Sequence, residues 1–230
     1  MFCIKCGTPL PDDANFCLKC GCDLRNLNQR TGTSYSSVKV GDYVEFGRYP
    51  QNNGKEPIEW LVLEVNYREA LLVSRHGLDC KQYHYEHVSM TWENCDLRKW
   101  LNSKFLKAAF SEEEQQRIKL SEVANDDNRQ YGTRGGNNTR DRVFCLSLTE
   151  AVRYFKYDGE RKCRPTACAR YQGAWVADSN GCCWWWLRSP GGNQHNASLV
   201  NSGGALFPHG SHVDGGDFAV RPALRLILNL

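Results

Sequence analysis

GCCWWWLRSPGG, at residues 181–192, and AVRPALRLIL, at residues 219–228, are the two stretches that decide the fold of this chain. Successive side chains of a strand point to opposite faces, so we expect a strand at residues 184–186 with at least two buried tryptophan rings. In the second stretch, apolar residues recur at every second position, which is typical of a strand with one core face. Pro222 has no N–H to donate, so this strand should start at a sheet edge or a bulge.

The insert between the two stretches has the composition of a recognition surface. No Lys or Arg lies between Arg188 and Arg221, and Gly, Ser, Asn, His and Asp dominate. Adaptable polar groups with isolated aromatic rings resemble an antibody binding site, and binding loops are held by rigid frames. The alternative is a plain surface loop. We predict a solvent-facing ligand-binding patch made of Asn193, His195, Ser198, Asn201, Ser202, Ala205, Phe207, His209, Ser211, His212, Asp214, Asp217 and Phe218.

The histidines of the insert also raise the question of a metal site. His209, His212 and Asp214 are close in the sequence and have donor atoms that suit zinc or calcium. We favour solvated loop histidines, because no third ligand has a fixed spacing. The polar stretch 124–142, which contains Asp126, Asp127 and several asparagines, is likewise expected to be a solvated loop rather than a calcium site.

The two C-terminal stretches resemble the signature of a family with the C-type lectin fold, common in bacterial and phage proteins. The resemblance continues upstream in GDYVEFGRYPQ, PIEWLVLEV, TWENCDLRKWLN and VFCLSLTEAVRYF, and it covers roughly residues 38–230. It implies that the two terminal strands pair, which would bring Val40 near Arg225. The family includes the variable proteins of diversity-generating retroelements, in which asparagine codons are randomised at adenines. The insert is rich in residues that such changes reach, so the resemblance implies a diversified binding surface.

The N-terminal segment carries a metal-binding pattern. Two C-x-x-C pairs are separated by ten residues, and four thiolates at this spacing suit tetrahedral zinc. A module of this size buries too little core to fold alone, so structural zinc would supply the folding free energy. Two disulfides are the alternative. Because no leader peptide precedes the pairs, we expect a reducing, cytoplasmic location, although export by another route stays open. The predicted ligands are Cys3, Cys6, Cys17 and Cys20.

Local patterns between the termini predict an α+β fold. Residues 1–24 form the predicted zinc ribbon, residues 25–37 a polar linker, and residues 38–230 a C-type lectin-like domain. Strand patterns follow Val40, and residues 58–65 and 70–74 predict a hairpin. Residues 92–110 are helical in pattern. Ser111 with Glu114, and Ser147 with Glu150, predict capping boxes that open two further helices.

Composition excludes several classes of function. The chain has 230 residues, a net charge of +3 and no apolar run long enough for a membrane span. The small net charge disfavours nucleic acid as a partner. From the resemblance and the composition of the insert, we predict a non-enzymatic variable protein that binds an unknown protein or another macromolecule.

Two alternatives remain open. Formylglycine-generating enzymes are distant relatives in the same fold group, and they use a cysteine pair with copper. Cys163, Cys168, Cys182 and Cys183 could then be redox or metal residues, but neighbours in an extended chain point apart and do not readily chelate one ion. Cys95 and Cys145 lie in apolar patterns and are expected in the core. The other alternative is a zinc-ribbon interaction module that binds nucleic acid through Lys5, Lys19, Arg25 and Arg30.

Overall fold

A computed structural model describes Thr8, Lys19 and residues 38–228 of the chain. Its contacts divide the chain into Met1–Ser37 and Val38–Leu230. The predicted zinc ligands Cys3, Cys6, Cys17 and Cys20 and the predicted linker lie outside the described residues. The described fold is that of the unit Val38–Leu230.

This unit is a mixed α+β structure with several sheets. Its twelve strands are β1 (Tyr43–Pro50), β2 (Lys55–Val65), β3 (Glu69–Ser74), β4 (Asp79–Cys80), β5 (Ser121–Val123), β6 (Thr139–Asp141), β7 (Val143–Phe144), β8 (Trp185–Pro190), β9 (Asn196–Val200), β10 (Leu206–His212), β11 (Ala219–Val220) and β12 (Ala223–Ile227). Its helices are α1 (Asp96–Trp100), a π-helical turn (Leu101–Phe105), α2 (Leu106–Ala109), α3 (Glu112–Arg117), α4 (Leu148–Tyr154), α5 (Asp158–Arg161) and α6 (Ala167–Tyr171).

The first sheet has the strand order β1-β2-β3-β12-β7. The predicted hairpin is confirmed, since β2 pairs with β3 across the turn at Asn66. The expected pairing of the two terminal strands is wrong. The last strand, β12, lies between β3 and β7, whereas β1 pairs with β2. Ala223 and Leu224 are both fully buried, so the start of β12 is covered on both faces rather than on one.

The second sheet has the order β10-β9-β8-β11-β4, and its strand β10 is at the edge. The register between β10 and β9 shifts between Phe207 and Ser211. Gly210 lies in this bulge at a φ of 70°. A Cβ atom there would lie 2.0 Å from the carbonyl oxygen of Ala197, so only glycine fits the bulge.

The chain passes from the second sheet to the first at Arg221 and Pro222. Pro222 therefore lies just before β12, at a break between strands. The buried guanidinium of Arg221 donates to the carbonyl oxygens of Ser74 at 2.9 Å and Arg161 at 3.2 Å. It also lies over the Trp185 ring, 5.0 Å from the centroid. These contacts fix the two C-terminal strands relative to each other.

The predicted helical segments form with the expected caps. Both capping boxes are present, with reciprocal bonds between Ser111 and Glu114 and between Ser147 and Glu150, and they open α3 and α4. The segment expected to be helical from Trp92 begins only at Asp96, because Cys95 is the N-cap. None of the helices among the described residues is long and apolar enough to cross a membrane.

The stretch 124–142 is a solvated loop only in part: Asp126 and Asp127 are exposed, as expected. It ends in β6, which pairs with β5, and several of its polar residues are buried. The Asp141 carboxylate accepts bonds from Trp92 Nε1 at 3.0 Å and from Arg98 Nε at 2.7 Å. Asp141 is thus a buried hydrogen-bond centre rather than a loop carboxylate.

Candidate functional site

The three tryptophans of the sequence analysis form the rigid floor of the candidate site. Trp185 and Trp186 are fully buried, as predicted, and Trp184 is partly exposed. Their indole N–H groups are satisfied: Trp185 Nε1 donates to the Arg161 carbonyl at 3.1 Å and Trp186 Nε1 to the Lys81 carbonyl at 2.8 Å. Buried rings with satisfied donors hold β8 in one position.

Arg188 fixes the next part of β8. Its buried guanidinium donates to the carbonyl oxygens of Cys145 and Ala124, both at 2.9 Å, and to the Glu150 carboxylate. A buried charge that has a carboxylate partner and further acceptors costs far less than an isolated one. The arginine that precedes the insert is therefore part of the scaffold and not a surface cation.

Asn128 connects the two sides of the insert. Its buried Nδ2 donates to the carbonyl oxygens of Pro190 at 2.9 Å, Pro208 at 2.8 Å and Gly191 at 3.2 Å. One amide therefore joins the end of β8 to the middle of β10. Polar stretches give no periodic signal, so no pattern in the sequence points to this residue.

The predicted place of Ser198 on the surface is wrong. Ser198 is fully buried, and its hydroxyl donates to the Pro190 carbonyl at 2.7 Å. The reason is topological: β9 lies between β8 and β10, and all five of its residues are buried. Ser198 therefore stabilises the sheet beneath the site and is not part of its surface.

Hydrogen bonds within the turn between β9 and β10, and from Arg161, hold this turn in place. The Asn201 side chain accepts the N–H groups of Gly203 and Ala205 at 2.9 and 3.0 Å. Arg161 Nε donates to the Gly204 carbonyl at 2.8 Å. Asn201, Ser202 and Ala205 are partly buried at this end of the hairpin, opposite to the end where His212 lies.

Exposed aromatic rings form a row along the edge of the second sheet. Phe207, which is 38 % exposed, packs edge-on against Trp184 at 5.6 Å, and His209 lies 6.1 Å from Phe207 and 5.7 Å from Tyr131. Beside this row, Trp175, Trp184, Asp217 and Phe218 line a largely apolar cleft of about 270 Å³. We call these lining residues the aromatic cleft.

The other end of the hairpin carries a histidine cluster, which we define as His87, His195, His212 and Asp214. The His87 ring stacks on His195 at 5.3 Å and meets His212 edge-on at 4.5 Å. His87 Nδ1 is 3.0 Å from Asp214 Oδ1. This hydrogen bond is the main reason that the pKa of the Asp214 carboxyl lies below its ordinary value.

Most of the other predicted site residues are accessible to solvent. The exposed ones are Asn193, His195, Phe207, His209, His212 and Asp217, and the partly buried ones are Asn201, Ser202, Ala205, Ser211, Asp214 and Phe218. Within the turn before β9, the Asn193 side chain accepts the N–H of His195 at 2.8 Å. The structure therefore places Phe207, His209 and His212 on one edge strand, with the aromatic cleft beside Phe207 and the rest of the histidine cluster beside His212.

Three exposed residues of the site come from outside the insert and were missed. His87, Tyr131 and Trp175 lie in segments far from β10 in the sequence. Trp175 is 49 % exposed, which is unusual for a ring of that size. No local pattern pairs these residues with the insert, because only the tertiary fold brings them there.

The cysteines of the described unit lie mainly in the core. Cys95 and Cys145 are fully buried, as predicted, and burial raises the pKa of Cys95 to about 12. The Cys183 thiol is 3.3 Å from the Cys163 carbonyl. The Cys163 side chain and burial raise the pKa of Cys183, so this thiol is protonated at neutral pH.

Comparison with known proteins gives two matches to family models. The model described as Domain of unknown function (DUF6273) matches residues 67–228, more than half of the chain. The model described as zinc-ribbon domain matches residues 2–24, a range that contains Cys3, Cys6, Cys17 and Cys20. No curated protein and no solved structure matches the chain.

Proposed function

The chain belongs to the family described as Domain of unknown function (DUF6273), and from this premise we propose that it is a non-enzymatic binding protein whose ligand is another protein. Its contact surface runs from the aromatic cleft across Phe207 and His209 to the histidine cluster. The observation that carries the proposal is a set of exposed aromatic rings on a backbone fixed by buried hydrogen bonds.

The residue types of this surface support a protein ligand. Tryptophan, tyrosine and arginine are enriched among the residues that dominate protein–protein affinity, and Trp175 and Tyr131 offer rings with large exposed areas. A fixed backbone lowers the entropy lost on binding. The absence of Lys and Arg between Arg188 and Arg221 disfavours contact with phosphate groups through the insert.

We also propose that the fold is C-type lectin-like and that the insert is diversified. The motifs quoted above support a C-type lectin-like fold, from which the pairing of β12 with β3 instead of β1 is a departure. The residue types at His209, His212, Asp214 and Phe207 support diversification of the insert by a retroelement. The neighbouring DNA tests this directly, since a diversified gene requires a near-copy of its 3′ coding end beside a reverse transcriptase gene.

The zinc ribbon is proposed to have a structural role. Four thiolates within the matched segment are a closed donor set for tetrahedral zinc, which leaves no position for a substrate. We therefore assign ligand binding to the unit Val38–Leu230 and not to the ribbon.

Site-specific photocrosslinking tests the binding surface. A benzoylphenylalanine placed at Phe207 in the full chain, expressed in its native host, should give a discrete protein adduct. The same group at Tyr171, which is 90 % exposed on α6, is the matched control and should give none. Trp175→Ser should abolish the adduct at Phe207. Equal adducts at both positions, or no adduct at Phe207, would contradict the proposal.

The oxidase alternative predicts a different result. It requires copper-dependent oxygen consumption with a cysteine-containing peptide, and loss of that activity when Cys182 and Cys183 are replaced by serine. We expect no such activity in either form. The buried position of Cys183 supports this expectation, because a reactive thiol needs access and a lowered pKa.

A further inference from the structure

Three side chains with metal-binding atoms meet at one end of the edge strand. His212 ends β10, Asp214 follows in the next turn, and His87 comes from a distant segment. One donor atom from each residue lies within 4.8 Å of the others. His87 thus supplies a third ligand that residue spacing in the sequence does not reveal.

Hydrogen bonds to main-chain carbonyl oxygens hold the segment around His87 against the segment that contains His212 and Asp214. The N–H of His84 donates to the Val213 carbonyl at 2.8 Å, and the N–H of Val213 donates to the His195 carbonyl at 2.9 Å. Gln82 Nε2 donates to the Asp214 carbonyl at 2.8 Å. These bonds hold the chain beside His212 and Asp214 against the segment that carries His87, without any contact between the three candidate side chains.

We infer that His87, His212 and Asp214 bind one divalent transition-metal ion of the zinc class. Two imidazoles and one carboxylate are a donor set of zinc sites that keep an open fourth position, whereas calcium and magnesium prefer oxygen ligands throughout. His87 Nδ1 and Asp214 Oδ1 are already 3.0 Å apart. Zinc bonds of about 2.0–2.2 Å require all three donor atoms to lie closer together than the 4.8 Å that bounds the set. The side chains of His87 and Asp214 are 46 % and 35 % exposed, so they have room to rotate inwards.

The contact between Asp214 and His87 favours a divalent cation at this position. The Asp214 carboxylate already lies against the imidazole of His87, and a bound cation would replace the shared proton as its partner. The His195 ring stacks on the His87 ring at 5.3 Å and lies beside the three candidate ligands. This second metal site is separate from the N-terminal ribbon, and it does not depend on the protein ligand proposed above.

Zinc titration of the full chain tests the site. The full chain is stripped of metal and reloaded with one equivalent of zinc, which the four thiolates of the ribbon bind first, and Zn²⁺ alone is then added while its binding is measured by calorimetry. We expect one further equivalent of zinc in the wild type. His87→Ala and Asp214→Asn should each weaken that step by about tenfold or more, since each removes a ligand.

His209→Ala is the matched control, because His209 is an exposed histidine of the same strand outside the cluster, and it should bind the further equivalent normally. Ring-nitrogen NMR of the wild type gives a readout that needs no variant: zinc should shift the His87 and His212 signals and leave His76 unchanged. The inference is overturned if no further equivalent binds, if binding survives in His87→Ala and Asp214→Asn, or if His209→Ala loses it equally.

Discussion

Replacing Asn128 by alanine should destabilise the unit that carries the candidate site. Asn128 is buried, and its Nδ2 reaches the carbonyl oxygens of Pro190, Pro208 and Gly191. One amide has two N–H groups, so these contacts amount to two full hydrogen bonds with one of them shared. Each such bond contributes about 1 kcal/mol, and a buried acceptor left without a partner adds about 1–3 kcal/mol.

The Ser198 hydroxyl limits that cost. Its oxygen lies 2.7 Å from the Pro190 carbonyl oxygen and 3.2 Å from that of Pro208, and its single proton can serve one of them at a time, so one acceptor keeps a donor in Asn128→Ala. We therefore expect a loss of about 2–3 kcal/mol for Asn128→Ala and about 1 kcal/mol for Ser198→Ala. The double variant should lose at least about 1 kcal/mol more than the sum, because only then do the shared acceptors lose both donors.

Denaturant unfolding followed by tryptophan fluorescence measures these changes. All seven tryptophans lie in Val38–Leu230, so the signal reports on this unit alone. Hydrogen exchange should also become faster at Gly192, whose N–H donates to the His209 carbonyl. A loss below about 0.5 kcal/mol for Asn128→Ala, or strictly additive effects, would refute the reasoning.

Three other predictions concern Trp185, Glu64 and the ribbon zinc. Trp185→Ala should cost about 3–5 kcal/mol in denaturant unfolding, whereas Tyr171→Ala, at the surface, should stay within about 0.5 kcal/mol. The bond from Tyr154, supported by Arg225, lowers the pKa of Glu64, so its contribution is present above the ordinary carboxyl pKa and lost as the pH falls through the folded value. Glu64→Gln should therefore flatten the loss of stability between about pH 5 and about pH 3 in thermal melts. A strong chelator should remove the ribbon zinc, measured by metal analysis, and leave the near-UV circular dichroism of the tryptophans unchanged; a collapse of that signal would contradict the separation of the two units.

The sequence predicts the elements that local chemistry determines. The hairpin at Asn66, both capping boxes and the buried pair Trp185 and Trp186 all follow from periodicity or from side chains within a few residues of each other. The position of β12 in the sheet cannot be predicted in this way, because its partners β3 and β7 are distant in the sequence. Alternation alone does not say which strands lie on either side.

The candidate site is only partly predictable for the same reason. The exposed row at Phe207 and His209 follows from an insert rich in glycine and polar residues. Ser198 has the same composition around it, but it is buried because a middle strand has neighbours on both sides. His87 meets His212 because the fold brings together segments more than a hundred residues apart, and no local pattern encodes such a meeting.

The bulge at Gly210 affects whether the edge strand β10 can pair with a strand of another molecule. An edge strand normally offers a row of main-chain donors and acceptors that invites a strand from another molecule. In β10, Pro208 lacks a donor and the bulge breaks the spacing of the row, so a straight incoming strand cannot pair along it. Recognition at this edge must then use side chains rather than the main chain. The aromatic residues of the surface can therefore change without turning the molecule into a template for fibrous aggregation.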